Sequence, residues 1–177
     1  MRSYTPQERQ LVRRILADPL RFHRPTPAQQ RWHDSTARIK LLRGGNQVGK
    51  TTALAAEAFW AKAAFGPDFR GRALCYSWSQ SLIVQAKFWA LAPKHVLHKE
   101  CKFHPSRGFL HRRIPFADGS VIDFATVESG TLGLASATLN WAGVDEPAPP
   151  DVWAETIARV TATGGSIAAT MTPVGRP

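Results

Sequence analysis

Eight consecutive residues carry the clearest chemistry: Gly44, Gly45, Asn46, Gln47, Val48, Gly49, Lys50 and Thr51, a full match to G-x-x-x-x-G-K-[ST], with Thr52 directly after. Glycines let backbone N–H groups turn inward around phosphate oxygens. A lysine at that spacing reaches β and γ phosphates, and the Thr51 hydroxyl is placed to ligate Mg²⁺. The competing reading is a glycine turn that happens to precede Lys-Thr. Context arbitrates, because the chemistry needs a strand before the loop and a helix after it. Further along, Asp145 and Glu146 close an apolar run over 139–144. A strand that ends in an acid delivers the carboxylate to the C-terminal edge of a sheet, beside such a loop. There Asp145 holds Mg²⁺ through water, and Glu146 orients and deprotonates the attacking water. Standing alone, an Asp-Glu pair after a strand reads as a solvated turn; the loop upstream reverses that preference.

Weaker signals surround these two. Thr170, Met171, Thr172 and Pro173 follow another apolar run, so a hydroxyl there is placed to face a γ-phosphate, although Thr-Pro is also ordinary loop chemistry. Upstream, Gln29 and Trp32 lie in Pro27-Ala28-Gln29-Gln30-Arg31-Trp32, where an amide can pair with an adenine edge as both donor and acceptor. Arg107, Arg112 and Arg113 are candidates for phosphate contacts or for an arginine acting on a neighbouring subunit; solvated surface charge is the plainer reading of each. His95, His98, Cys101 and His104 recur every third residue. On a helix, steps of three turn successive residues away from one side, and no Cys-x-x-Cys pair accompanies them, so zinc is disfavoured. Of the six tryptophans, those in helix and strand runs read as core before they read as stacking platforms.

The elements that must position these groups follow from pattern. Thr5-Pro6-Gln7-Glu8 has the form of a capping box and starts a short amphipathic helix. A second helix is expected over 28–36, a strand over 39–42, and after the glycine loop an alanine-rich helix over 53–65, stopped by Gly66-Pro67. A strand at 72–77 and a helix at 80–92, ended by Pro93, continue a βαβ rhythm. Residues 109–114 and 120–126 flank Asp118-Gly119, a pair suited to a tight antiparallel hairpin. A small-residue loop from 129 to 136, a strand over 139–144, a helix over 151–160 and a strand over 166–170 complete the chain. Strand, glycine loop, helix is the order the phosphate chemistry demands.

Composition bounds the rest. With 177 residues, 44% of them apolar, the chain suffices for one domain with a real core and not for two large ones. Lys plus Arg outnumber Asp plus Glu by 23 to 13, a net charge of +10, which favours polyanions and makes nucleic acid the first partner to consider. Two cysteines cannot make a disulfide framework and fit a reducing, cytosolic compartment. No apolar stretch reads as a leader or a membrane span.

Taken in order, Gln29 with Trp32, the loop from Arg43 to Thr52, Val144-Asp145-Glu146-Pro147 and the stretch from Thr170 to Gly175 resemble the motor motifs of tailed-phage large terminases: the adenine motif, Walker A, Walker B with its catalytic glutamate, and the coupling motif. The resemblance implies an α/β P-loop NTPase of the ASCE/RecA-like kind. Its sheet is mostly parallel, flanked by helices, with the P-loop strand near the centre and an inserted β-hairpin. It further implies ATP and Mg²⁺ as ligands, Lys50 and Glu146 as catalytic residues, Gln29 and residues 44–52 as the ATP contacts, Thr51 and Asp145 on the metal, and Thr170 and Thr172 in coupling. Double-stranded DNA, a portal protein, a small terminase subunit and further copies of the chain are the implied partners. The implied setting is the cytoplasm of an infected or lysogenic bacterium, and transiently the procapsid portal. Residues 1–24 are expected to be an N-terminal helical segment, and 25–177 a C-terminally incomplete ATPase domain without the family's nuclease. Many terminases carry an arginine where Asn46 stands; Arg43 precedes the loop, and no arginine finger is assigned. The alternatives are a helicase-like translocase and a non-catalytic nucleotide- or DNA-binding remnant.

Overall fold

The computed structural model describes residues 5–135 and 137–173. Val174 and Gly175 of the expected coupling motif lie outside them. Two helices open the chain with the same device. Thr5 caps α1 (Pro6–Ala17) and Thr26 caps α2 (Pro27–His33), each threonine accepting from the third helical N–H while that residue's side chain accepts back from the cap. Such a cap stabilises a helix start by about 1 kcal/mol. Next come β1 (Ile39–Arg43), α3 (Lys50–Phe65), β2 (Arg70–Cys75) and α4 (Trp78–Leu91). The helix after the glycine loop therefore starts at Lys50, three residues before its alanine-rich stretch, so that the loop's lysine and threonines form its first turn.

Between α4 and the next sheet strand lies an insert holding a two-stranded ribbon, β3 (Phe103–His104) with β4 (Gly108–Phe109). The expected hairpin follows as β5 (Arg113–Pro115) and β6 (Val121–Thr126), turning at Gly119 with φ 83°. Its first strand is shorter than the 109–114 expected. Phe109 is drawn into the ribbon, its N–H donating to the buried Gln85 Oε1 at 2.7 Å. His111 and Arg112 then turn through left-handed backbone, at φ 56° and 54°. The chain finishes with α5 (Gly130–Leu134), β7 (Trp141–Asp145), α6 (Pro150–Thr161) and β8 (Ser166–Met171).

The main sheet runs β1-β8-β7-β2-β6-β5. Every neighbouring pair is parallel except β5 with β6. Side chains alternate across it into two cores. On one face Leu54, Phe59 and Phe88 of α3 and α4 pack with Ala73, Phe124 and Trp141; on the other Leu134, Val152 and Val160 of α5 and α6 pack with Leu74, Val144 and Ile167. This is the mostly parallel, helix-flanked sheet expected. One feature corrects the expectation: β1, which feeds the glycine loop, is not near the centre. Among the described residues it is an edge strand, bonded only to β8, and its Ile39 and Leu41 are each 50% exposed. Strand order is set by how crossovers pack, and nothing in the local pattern of β1 encodes it.

Candidate nucleotide site

The C-terminal edge of the sheet gathers the groups singled out in the sequence. β1 leads into the glycine loop and α3 leaves it, the context the motif requires. Gly49 caps α3 with φ 83° and offers no side-chain cap, so the positive end of a 16-residue helix is left facing the loop. A Cβ at Gly49 would stand 2.9 Å from Gln29 Nε2; only glycine meets both the angle and the space. The tip, Gly45 with Asn46, Gln47 and Val48, is exposed. Lys50 is 8% exposed, and its ammonium donates to Gly44 O at 2.9 Å and Gly45 O at 2.7 Å. Those neutral carbonyls are weaker partners than a phosphate oxygen, which adds the attraction of a full negative charge.

Asp145 ends β7 and is 6% exposed. Its Oδ1 accepts from Thr51 Oγ1 at 3.1 Å and from Thr170 Oγ1 at 2.9 Å, joining α3, β7 and β8 at one atom. Burial holds this carboxyl above its ordinary range; the two hydroxyls and Lys50 oppose that shift, and Glu146 reinforces it. A buried acid costly to ionise is suited to a divalent cation, whose charge offsets the desolvation. Glu146 follows at φ 73°. Its N–H donates to Thr170 O at 3.0 Å, and its carboxylate accepts from Thr172 N at 2.8 Å and Thr172 Oγ1 at 2.6 Å. Thr52 sits half-buried in the first turn of α3.

Gln29 lies beneath the loop. Its Oε1 accepts from Thr26 N at 2.8 Å and its Nε2 donates to Val48 O at 3.0 Å, so both ends of the amide are engaged within the chain and brace the loop. One turn along α2, His33 Nδ1 meets Glu57 Oε1 at 2.5 Å, while Lys40 Nζ meets Glu57 Oε2 at 2.8 Å. This cluster ties α2, α3 and β1 together toward the end of the sheet where β1 and β8 begin. Sequence reading missed it: three residues far apart in the chain carry no shared local signal.

The arginines part company. Arg43 is exposed at the end of β1. Arg113 pairs with Asp123 at 2.7 Å, and Arg112 lies 3.6 Å over the Trp78 ring at the start of α4. Arg107 is exposed on the ribbon. A cavity of about 1010 Å³ lies between Trp89 of α4 and Cys101, Phe109 and Arg112 of this insert, away from the phosphate loop.

No family model and no curated protein sequence matches the chain. Solved structures do. The ATPase domain of the large terminase of Thermus phage P74-26 superposes with a TM-score of 0.71 at 20% identity, over 90% of this chain and 69% of that one. The chain has the fold of a phage large-terminase ATPase domain. Further large terminases share it: one from a thermophilic bacteriophage, with a TM-score of 0.66 at 17% identity over 86% of this chain and 40% of that one; and that of bacteriophage HK97, at 0.63 and 14%, over 85% and 33%. The chain thus spans well under half of those two proteins. The terminase of the same thermophilic bacteriophage has been solved with ATP-γ-S, in a form matching this chain with a TM-score of 0.58 at 15% identity. Described residues of this large-terminase fold include no helix long and apolar enough to cross a membrane.

Proposed function

We propose that the chain is the ATP-binding and ATP-hydrolysing motor domain of a phage terminase large subunit, coupling hydrolysis to the packaging of double-stranded DNA. The observation that carries the reading is the convergence of Lys50, Thr51, Asp145 and Glu146 at one sheet edge, with hydroxyls at 3.1 and 2.9 Å from Asp145 marking where a cation would sit. The residues fit nucleotide: a glycine cradle, a helix N-terminus without a side-chain cap, and a buried ammonium directed into the loop. Lys50 turns from the loop carbonyls to the β and γ oxygens. Thr51 and Asp145 are the groups that would hold Mg²⁺, which supplies charge neutralisation at the phosphates. Glu146 accepts the proton of the attacking water as its oxygen bonds to the γ-phosphorus; the bond to the β–γ bridging oxygen breaks, and ADP leaves with the electron pair. Thr170 and Thr172 couple this site to the rest of the motor. Residues 25–177 form the motor part, preceded by a helical segment. Portal protein, small subunit and further copies of the chain are its proposed partners in the host cytoplasm, and nuclease activity is not expected from these residues.

The test is Mg²⁺-dependent ATP binding and hydrolysis with and without duplex DNA, beside Glu146→Gln. That variant keeps ATP bound and slows hydrolysis at least about a hundredfold, since an amide holds water without taking its proton. Hydrolysis at the unmodified rate would remove Glu146 as the base, and a chain that binds no ATP would remove the whole reading.

A further inference from the structure

Among the described residues, the Glu146 carboxylate is held by Thr172 alone. Thr172 donates its hydroxyl to Glu146 Oε1 at 2.6 Å and its backbone N–H to Oε2 at 2.8 Å, a two-point grip that fixes both the position and the plane of the carboxylate. About four acceptor sites exist on a carboxylate, so each oxygen keeps one for a water. The backbone of Glu146 is left-handed at φ 73°, a conformation that is strained for a residue with a Cβ. Such angles persist where the surroundings over-determine them, and they cluster at functional sites. Here the determinants all come from the exit of β8. Thr170 O takes the Glu146 N–H, and Thr172 takes the side chain. Pro173 follows directly and confines Thr172 to extended backbone.

β8 lies between β7, which leads into Glu146, and β1, which carries the phosphate loop. At its exit Gly44 N donates to Met171 O at 3.2 Å. Three successive residues therefore touch three parts of the site: Thr170 touches Asp145, Met171 the phosphate loop, and Thr172 the Glu146 carboxylate.

We infer that Thr172 is a positioning residue for hydrolysis: it draws the Glu146 carboxylate off its own strand onto β8, beside the phosphate-loop strand, and sets its aim at the attacking water. Because Met171 is bonded to the loop, that aim follows the loop's position. The inference rests on the reading of Glu146 as the base, and it gives Thr172 a role distinct from direct contact with the γ-phosphate.

Single-turnover hydrolysis, with the chain in excess over ATP and duplex DNA present, tests it on Thr172→Val, Thr172→Ser and Glu146→Gln. Valine keeps the shape and loses the hydroxyl donor. The rate should fall about tenfold to a hundredfold, the scale of a misplaced base, with ATP affinity unchanged. Serine, which restores the donor, should recover most of the loss; a purely structural role would not separate rate from affinity in this way. Independently of turnover, the Thr172 amide should exchange slowly with solvent and lose that protection in Glu146→Ala. If Glu146→Gln is impaired while Thr172→Val hydrolyses at the unmodified rate or faster, this inference falls and the ATPase reading stands. If Glu146→Gln is itself unimpaired, the base assignment falls first. A Thr172 amide equally protected in Glu146→Ala would also overturn the grip.

Discussion

Replacing Glu57 with glutamine should unsettle the phosphate loop through α2, whose Gln29 bonds to Val48. Glu57 offers one carboxylate oxygen to His33 at 2.5 Å and the other to Lys40 at 2.8 Å. The side chains of His33, Glu57 and Lys40 are only 4%, 11% and 12% exposed. Glutamine keeps the shape but presents one acceptor where there were two, and it leaves the Lys40 ammonium facing no negative charge. Breaking a buried pair by removing one partner costs about 3–5 kcal/mol; residual exposure of Lys40 and Glu57 argues for the lower end, about 3. At about 2–4 °C per kcal/mol for a chain of this size, Tm should fall by about 6–12 °C. The same change loosens α2, which carries Gln29. Loss of the Gln29–Val48 bond, worth about 0.5–1.5 kcal/mol, should weaken ATP binding roughly two- to tenfold. Calorimetric unfolding gives the first number, and titration with a fluorescent ATP analogue well below Tm gives the second. A Tm drop under about 2 °C, less than one kcal/mol at this size, would refute the claim that the cluster is a buried clamp. A full drop with unchanged affinity would show that the clamp does not reach the loop.

Other outcomes follow from the same site. Lys50→Ala should abolish Mg²⁺-ATP binding or hydrolysis, because it removes the buried cation directed into the loop; unchanged affinity and turnover in a binding and steady-state assay would dismiss the phosphate-loop assignment. Asp145→Asn should end Mg²⁺-dependent hydrolysis yet raise Tm by a few degrees, on the scale of about 1 kcal/mol. The acid's folded-state pKa is raised by burial, so the unmodified chain loses stability as pH climbs from the ordinary aspartate range through that raised value. The gap between the two proteins should therefore open with rising pH, and unfolding curves in which it narrows would contradict the assignment. DNA binding, measured by titration at several salt concentrations, should be indifferent to sequence and weaken steeply with salt, since Lys99, Lys102 and Arg107 are exposed and have no ion-pair partner among the described residues. Strong sequence preference with a flat salt response would count against a phosphate-directed interface.

The elements that carry the candidate site were legible because their signals are local. A glycine loop followed by Lys50 and Thr51, an apolar run ending at Asp145, and Asp118-Gly119 between two strand-like runs each state their structure within about ten residues, and each formed where read, the hairpin with a shorter first strand. What escaped reading depends on partners distant in the chain. Nothing near β1 says that it lies at an edge, since that follows from β8 inserting between it and β7. Residues 109–112 read as strand by composition, but tertiary pull from Gln85 overrides the pattern. Thr172 was visible as part of a motif and its bond to Glu146 was not, because only the parallel register of β7 and β8 brings them together. Gln29 read as an adenine partner from its amide; its bond to Thr26 is the local capping box of α2, and only its bond to Val48 required the folded loop.

The edge position of β1 also bears on when the site comes into being. Ile39 pairs with Ile167 and Arg43 with Met171, so the strand that carries the phosphate loop waits 128 residues for β8, its one sheet partner among the described residues. β2, β6 and β5 can associate meanwhile, and contacts this distant in sequence are the slow ones to form. On the proposed reading the nucleotide site is the last part of the described sheet to assemble, and ATP, binding the folded site alone, would act on that step by mass action. A ribosome-bound chain halted before β8 would present Ile39 and Leu41 with both edges of their strand open, the state in which a newborn chain most needs a chaperone.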